Sequence, residues 1–152
     1  MTVTMEQIRA ALDGYEPSYA TAARELGTQA LPHLAEIIRQ GDASSARRAV
    51  YLASFIDHEQ ADGVVAMGMD RAEATVHVAV AAGTRNLAPS YRNPLLLRLL
   101  DKDDIGVRKA ALRAVPARPD ASLAAKVERL ARNEPEPELR RLAGEVLERT
   151  LS

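Results

Sequence analysis

The chain has no cysteine and no tryptophan, and only one phenylalanine and four tyrosines among its 152 residues. Without Cys there are no disulfides, no thiolate zinc site and no thiol catalysis. With so few rings the core must be aliphatic, and 28 Ala and 18 Leu supply it. An excess of charge is also missing. Twenty basic residues stand against 21 acidic ones, for a net charge of -1, so the total shows no preference for nucleic acid or membrane. Long apolar runs are lacking as well. The longest nearly uncharged stretch, 76–83, is too short to span a bilayer and contains His77. Residues 1–12 carry Glu6 and Arg9 and do not read as a signal peptide. A cytoplasmic protein is expected. There is no phosphate loop, no GxSxG and no HExxH. Gly63 and Gly68 have GxxxxG spacing without the Lys-Ser/Thr that a nucleotide loop needs.

What is present is a helical apolar period along nearly the whole chain. In the last segment Leu139, Leu142, Ala143, Val146 and Leu147 fall on one face, and Arg141, Glu145 and Arg149 lie opposite. The segment before it has the stripe Leu123, Ala124, Val127, Leu130 and Ala131, with Asp120 placed to cap it. Thr4 and Gln7 read as a capping box for a first helix that ends near Gly14. Further helices are expected at about 17–26, 28–40, 44–56, 59–69, 72–82 and 104–115, with Asn93-Pro94 as cap and first residue of another. Residues 76–80 alternate like a strand. With no partner strand in sight, a buried helix is the preferred reading.

The chain also repeats itself. Residues 41–50, 102–111 and 134–143 superpose at offsets of 61 and 32, and 70–76 is a weaker middle copy with Thr75 where the others have Arg. The implied layout is one domain: an N-terminal helix pair at 1–27, then pairs at 28–57, 58–86, 89–117 and 120–151. A pair of that size cannot bury its apolar face alone, and stacking solves this.

The unit Leu95-Leu96-Leu97-Arg98-Leu99-Leu100-Asp101, followed by Val107-Arg108-Lys109-Ala110-Ala111-Leu112, resembles HEAT repeats. The likeness is to the short bacterial HEAT-like type also found in relatives of the phycobilin lyases. It is partly legible again in 30–38 with 46–50. The resemblance implies an all-α solenoid of about ten helices, with the second helix of each pair lining a concave face.

Within that frame, Asp42 with Arg47 and Asp103 with Arg108 share one spacing, and Arg140 takes the same place in the last copy. They read as a structural ladder in which the acid sits at a helix N-terminus and the Arg bridges to the acid of the next repeat. Arg48, Lys109 and Arg141 occupy one repeat position and form a candidate basic stripe. With Tyr51 and Arg113 they are the expected partner-binding residues of the concave face. Tyr91 falls in the irregular link 84–93. His33, His58 and His77 lie on different helices and read as surface or hydrogen-bonded residues. No metal or cofactor is called for. The expected role is a non-catalytic scaffold for another protein or peptide, an acidic one if it uses the stripe. Nucleic acid is disfavoured by the near absence of stacking aromatics. A lyase-like accessory enzyme is the rival reading, and a homodimer through a terminal repeat stays open.

Overall fold

A computed structural model describes residues 2–14 and 18–151. The described residues are all helical in class, with no strand. In order they form α1 (Met5–Leu12), α2 (Tyr19–Leu26), α3 (Leu31–Gln40), α4 (Ala43–Ser54) and α5 (Glu59–Ala66). Then come α6 (Ala74–Gly83), α7 (Pro89–Leu100), α8 (Ile105–Ala114), α9 (Ala121–Asn133) and α10 (Pro137–Leu151). Pro17, the expected start of α2, lies outside the described residues, as does Tyr15.

Local chemistry explains most boundaries. The Thr4 hydroxyl accepts from Gln7 N at 3.3 Å, and the Gln7 side chain accepts from Thr4 N at 2.8 Å, closing the capping box. Asp42 and Asp120 cap α4 and α9, accepting from Ser45 N at 2.7 Å and Leu123 N at 2.8 Å. Gly27 ends α2 at φ 63, a left-handed value that only glycine adopts freely.

Three expectations change. The cap of α8 is Asp104, which accepts from Val107 N at 3.0 Å, and Asp103 contributes its backbone carbonyl instead. The expected helix over 59–69 is a shorter α5 followed by a 3-10 turn at Met67–Asp70. Gly68 lies in that turn because its neighbours leave no room: a Cβ there would sit 2.6 Å from Val80 Cγ2 and 3.0 Å from Val50 Cγ2. Finally, α7 starts at Pro89, so Pro94 is inside the helix and Tyr91 is no loop residue but packs half-buried against the core. An interior proline costs about 3 kcal/mol. The turn added before it, 89–93, is held by Tyr91 against the core, and the leucines Leu95, Leu96, Leu99 and Leu100 are buried beyond the proline. The first free amide, Ala88 N, donates to the buried Asp62 carboxylate of α5 at 3.1 Å.

The helices pack largely as neighbouring pairs, in two layers. The odd helices α1, α3, α5, α7 and α9 follow one another on one side, and α2, α4, α6, α8 and α10 on the other. One cluster of buried apolar side chains runs from Ile8 to Val146. Contact is much more extensive along the even layer from α4 through α6 to α8 than along the odd layer. Small side chains allow it: Ala46, Ala49, Val50 and Ala53 of α4 meet a helix built of Val76, Ala79, Val80 and Gly83. This sandwiching between α4 and α8 holds 76–80 as helix despite its alternation.

Candidate functional site

The even layer carries an open apolar groove between α4 and α6. Arg47 and Tyr51 line it from α4, and Ala74, Thr75, Val78, Ala79 and Ala82 from α6, with Asp104 at the start of α8. Its volume is about 530 Å³. Val78 is 36% exposed here, and Ile105, the residue after Asp104, is 47% exposed. These are the exposed large aliphatic side chains among the described residues. The floor is apolar because α6 carries no charged residue at all. A helix apolar all round is normally buried, yet one face of α6 has no helix over it.

Tyr51 forms the wall. Its ring meets Phe55 edge-on at 5.1 Å and Tyr19 at 6.1 Å. Tyr19 is itself fully buried and donates its hydroxyl to Leu12 O at 2.7 Å. The groove aromatic is thus held by two others, and an anchor held this way loses little freedom on binding.

Of the residues expected on one binding face, Lys109, Arg113 and Arg141 gather around Glu138, while Arg48 and Tyr51 lie further along the layer. Arg48 faces Asp13 at 3.7 Å, near the α1 end. Lys109 bonds Glu138 at 2.8 Å, and its ammonium, followed by Arg141 and Arg113, holds the Glu138 carboxyl below its ordinary pKa. Arg141 lies 4.0 Å from Glu145 on its own helix. The stripe is neutralised by acids along its length. Of the five expected residues, only Tyr51 lines the groove. Arg113 is exposed at the end of α8, beside a different cavity.

The turns between paired helices carry two further ion pairs, Arg71–Glu73 and Arg108–Glu134, and the caps beside them. Asp42 caps α4; the amide hydrogen bond from Ser45 is the main cause that lowers its pKa. In the second repeat Arg71 grips Glu73 through Nε and Nη2, at 3.0 and 2.6 Å. It also donates Nη1 to Gly41 O at 2.6 Å and Ile38 O at 3.2 Å in the preceding repeat. Glu73 is lowered in pKa chiefly by that guanidinium. Arg108 donates to Lys102 O and Asp103 O at 2.9 and 2.7 Å, and to Glu134 of the next repeat at 2.8 Å. Arg140 donates to Glu134 O at 3.0 Å. Arg47 differs in position, since it lines the groove.

The histidines are hydrogen-bonded into the scaffold. The Nε2 atoms of His33 and His77 lie 2.9 Å from Val3 O and 2.6 Å from Arg71 O, and His58 Nδ1 accepts from Gln60 N at 3.0 Å. Among the described residues no group of three His, Asp or Glu could hold a metal, and no helix is long and apolar enough to cross a membrane.

Sequence reasoning missed Val78, Ala74, Ala82 and Asp104. A signal existed: an uncharged helix in a chain that is 27% charged. Comparison with family models, with curated proteins and with solved structures found no match.

Proposed function

We propose that this chain is a non-catalytic scaffold that binds a peptide segment of another protein in the α4–α6 groove. The observation that carries the reading is the groove itself: a preformed apolar floor, an aromatic wall fixed by its neighbours, and Val78 in the open. The occupant would seat an aliphatic or aromatic side chain on Val78, Ala82 and Tyr51. Arg47 and Asp104 would orient its polar groups. In this proposal the even layer is the inner, concave side of a HEAT-like stack, and its more extensive helix contacts favour that curvature. The peptide-binding surface is then the groove. The stripe of Arg48, Lys109 and Arg141 is a secondary rim, because its charges already have partners.

The test is selection of displayed random peptides on the intact protein, with Val78→Glu as competitor. Enriched peptides sharing an apolar anchor, which bind the native chain but not Val78→Glu, support the proposal. They should still bind a variant with Arg48, Lys109 and Arg141 all reversed. Peptides that bind Val78→Glu equally well would place the partner surface elsewhere.

A further inference from the structure

A second cavity, outside the groove, is lined by four arginines from four elements. Arg85 comes from the 3-10 turn Thr84–Asn86, Arg92 from α7, Arg113 from the last turn of α8 and Arg149 from the last turn of α10. The rest of the lining is Ala114, Val115, Pro116 and Ala117, and the volume is about 270 Å³. Among the described residues no carboxylate forms an ion pair with any of the four. Arg113 does feel Glu138 at longer range, where it helps lower that carboxyl. Arg85, Arg113 and Arg149 are exposed and Arg92 is half-buried, so a chain whose net charge is only -1 presents four like charges around one open depression.

Part of the cluster serves the fold. Arg85 donates to Arg113 O at 3.0 Å and Arg149 to Val115 O at 3.1 Å, satisfying carbonyls at the end of α8. The α8 dipole supplies only about half a negative charge at that end, far short of four guanidinium charges. Each guanidinium has five N–H donors. Arg85 and Arg149 each use one on these carbonyls, and Arg92 gives its Nε to Asn93 Oδ1 at 3.0 Å. The rest of each fork is available.

We infer that this cavity binds a diphosphate group of a small molecule. A carboxylate brings a single charge, whereas a phosphoryl group brings about -1.5 to -2 and three acceptor oxygens. Guanidinium forks match phosphate oxygens in pairs. The fixed carbonyl contacts of Arg85 and Arg149 hold two forks in place before the ligand arrives. Arg92 and Arg113 supply the remaining charge.

Isothermal titration of the full chain with inorganic pyrophosphate tests this, with adenosine diphosphate as a second probe. Saturable binding of pyrophosphate is expected. A gain for the nucleotide would assign the diphosphate to a nucleotide source, and equal affinity would assign it to the inorganic ion. Arg92→Gln leaves the α8 carbonyl contacts intact and should weaken binding about tenfold, the loss of one charge-assisted contact. Arg92→Gln combined with Arg113→Gln should weaken it further. Arg132→Gln removes an equal charge outside the cavity and should change nothing. Melting curves of each variant show that it is folded. The inference is overturned if neither probe binds the native chain. It is equally overturned if Arg92→Gln and Arg132→Gln behave alike, or if an oligonucleotide binds while pyrophosphate does not.

Discussion

Glu134 is the most informative residue to change for stability. Its side chain is 3% exposed, and it faces Arg108, which is 13% exposed, at 2.8 Å across the joint between the third and fourth repeats. Removing one partner from a buried pair costs about 3–5 kcal/mol, because the other charge stays buried without compensation. Here the orphan in Glu134→Gln would be Arg108. Its Nη1 would still donate to Lys102 O and Asp103 O, and some solvent reaches it, so the cost falls at or below the bottom of that range, about 2–3 kcal/mol. Arg108→Met is worse, because the Glu134 carboxylate loses its cation while almost fully enclosed. For a domain of this size 1 kcal/mol moves Tm by about 2–4 °C, so Glu134→Gln should melt roughly 4–12 °C lower. Replacing both, as Arg108→Met with Glu134→Leu, removes two desolvated charges together and should recover much of the loss. Urea unfolding of the native protein, both single variants and the double variant completes a cycle. A Glu134→Gln loss below about 0.5 kcal/mol, the range of ordinary surface changes, would refute the reasoning. So would a double variant whose loss equals the sum of the two singles, since the two groups would then not be coupled.

Three further outcomes follow from other sites. Gly68→Ala should destabilise by about 1–3 kcal/mol through overpacking against Val80 and Val50, measured by chemical denaturation. Asp120→Ala should cost about 1 kcal/mol as α9 loses its cap, and the bond from Asn93 to Asp120 at 3.2 Å goes with it. The pKa values of Asp42, Glu73 and Glu138 are all lowered in the folded state. Their contribution is therefore complete above the unfolded-state values, about 3.9 for Asp and 4.3 for Glu, and is lost as pH falls through the lower folded values. A Tm-against-pH series should fall across that acidic window, and Asp42→Asn with Glu73→Gln and Glu138→Gln should flatten it.

Much of the helical layout was legible because caps and breakers act locally. Thr4, Gly27, Asp42 and Asp120 mark their boundaries through bonds or backbone angles that neighbours in sequence make alone. Pro94 misled for the opposite reason: its local signal to begin a helix is overridden by contacts of the preceding turn with other elements, Tyr91 on the core and Ala88 N on Asp62 of α5. The candidate groove was harder to read. Tyr51 was among the expected residues, but Val78 and Ala82 look like core until the packing shows that one face of α6 is left uncovered.

By itself the sequence determined the all-helical class, the aliphatic core and the exclusion of thiol chemistry, since these follow from composition and period. Tertiary structure decided which charges meet. It paired Arg108 with Glu134, gave Arg48 and Lys109 acids from other helices or turns, and gathered Arg85, Arg92, Arg113 and Arg149 around one cavity. Long-range electrostatics depends on distances in space, and residues far apart in the chain acquire those distances only when the helices stack.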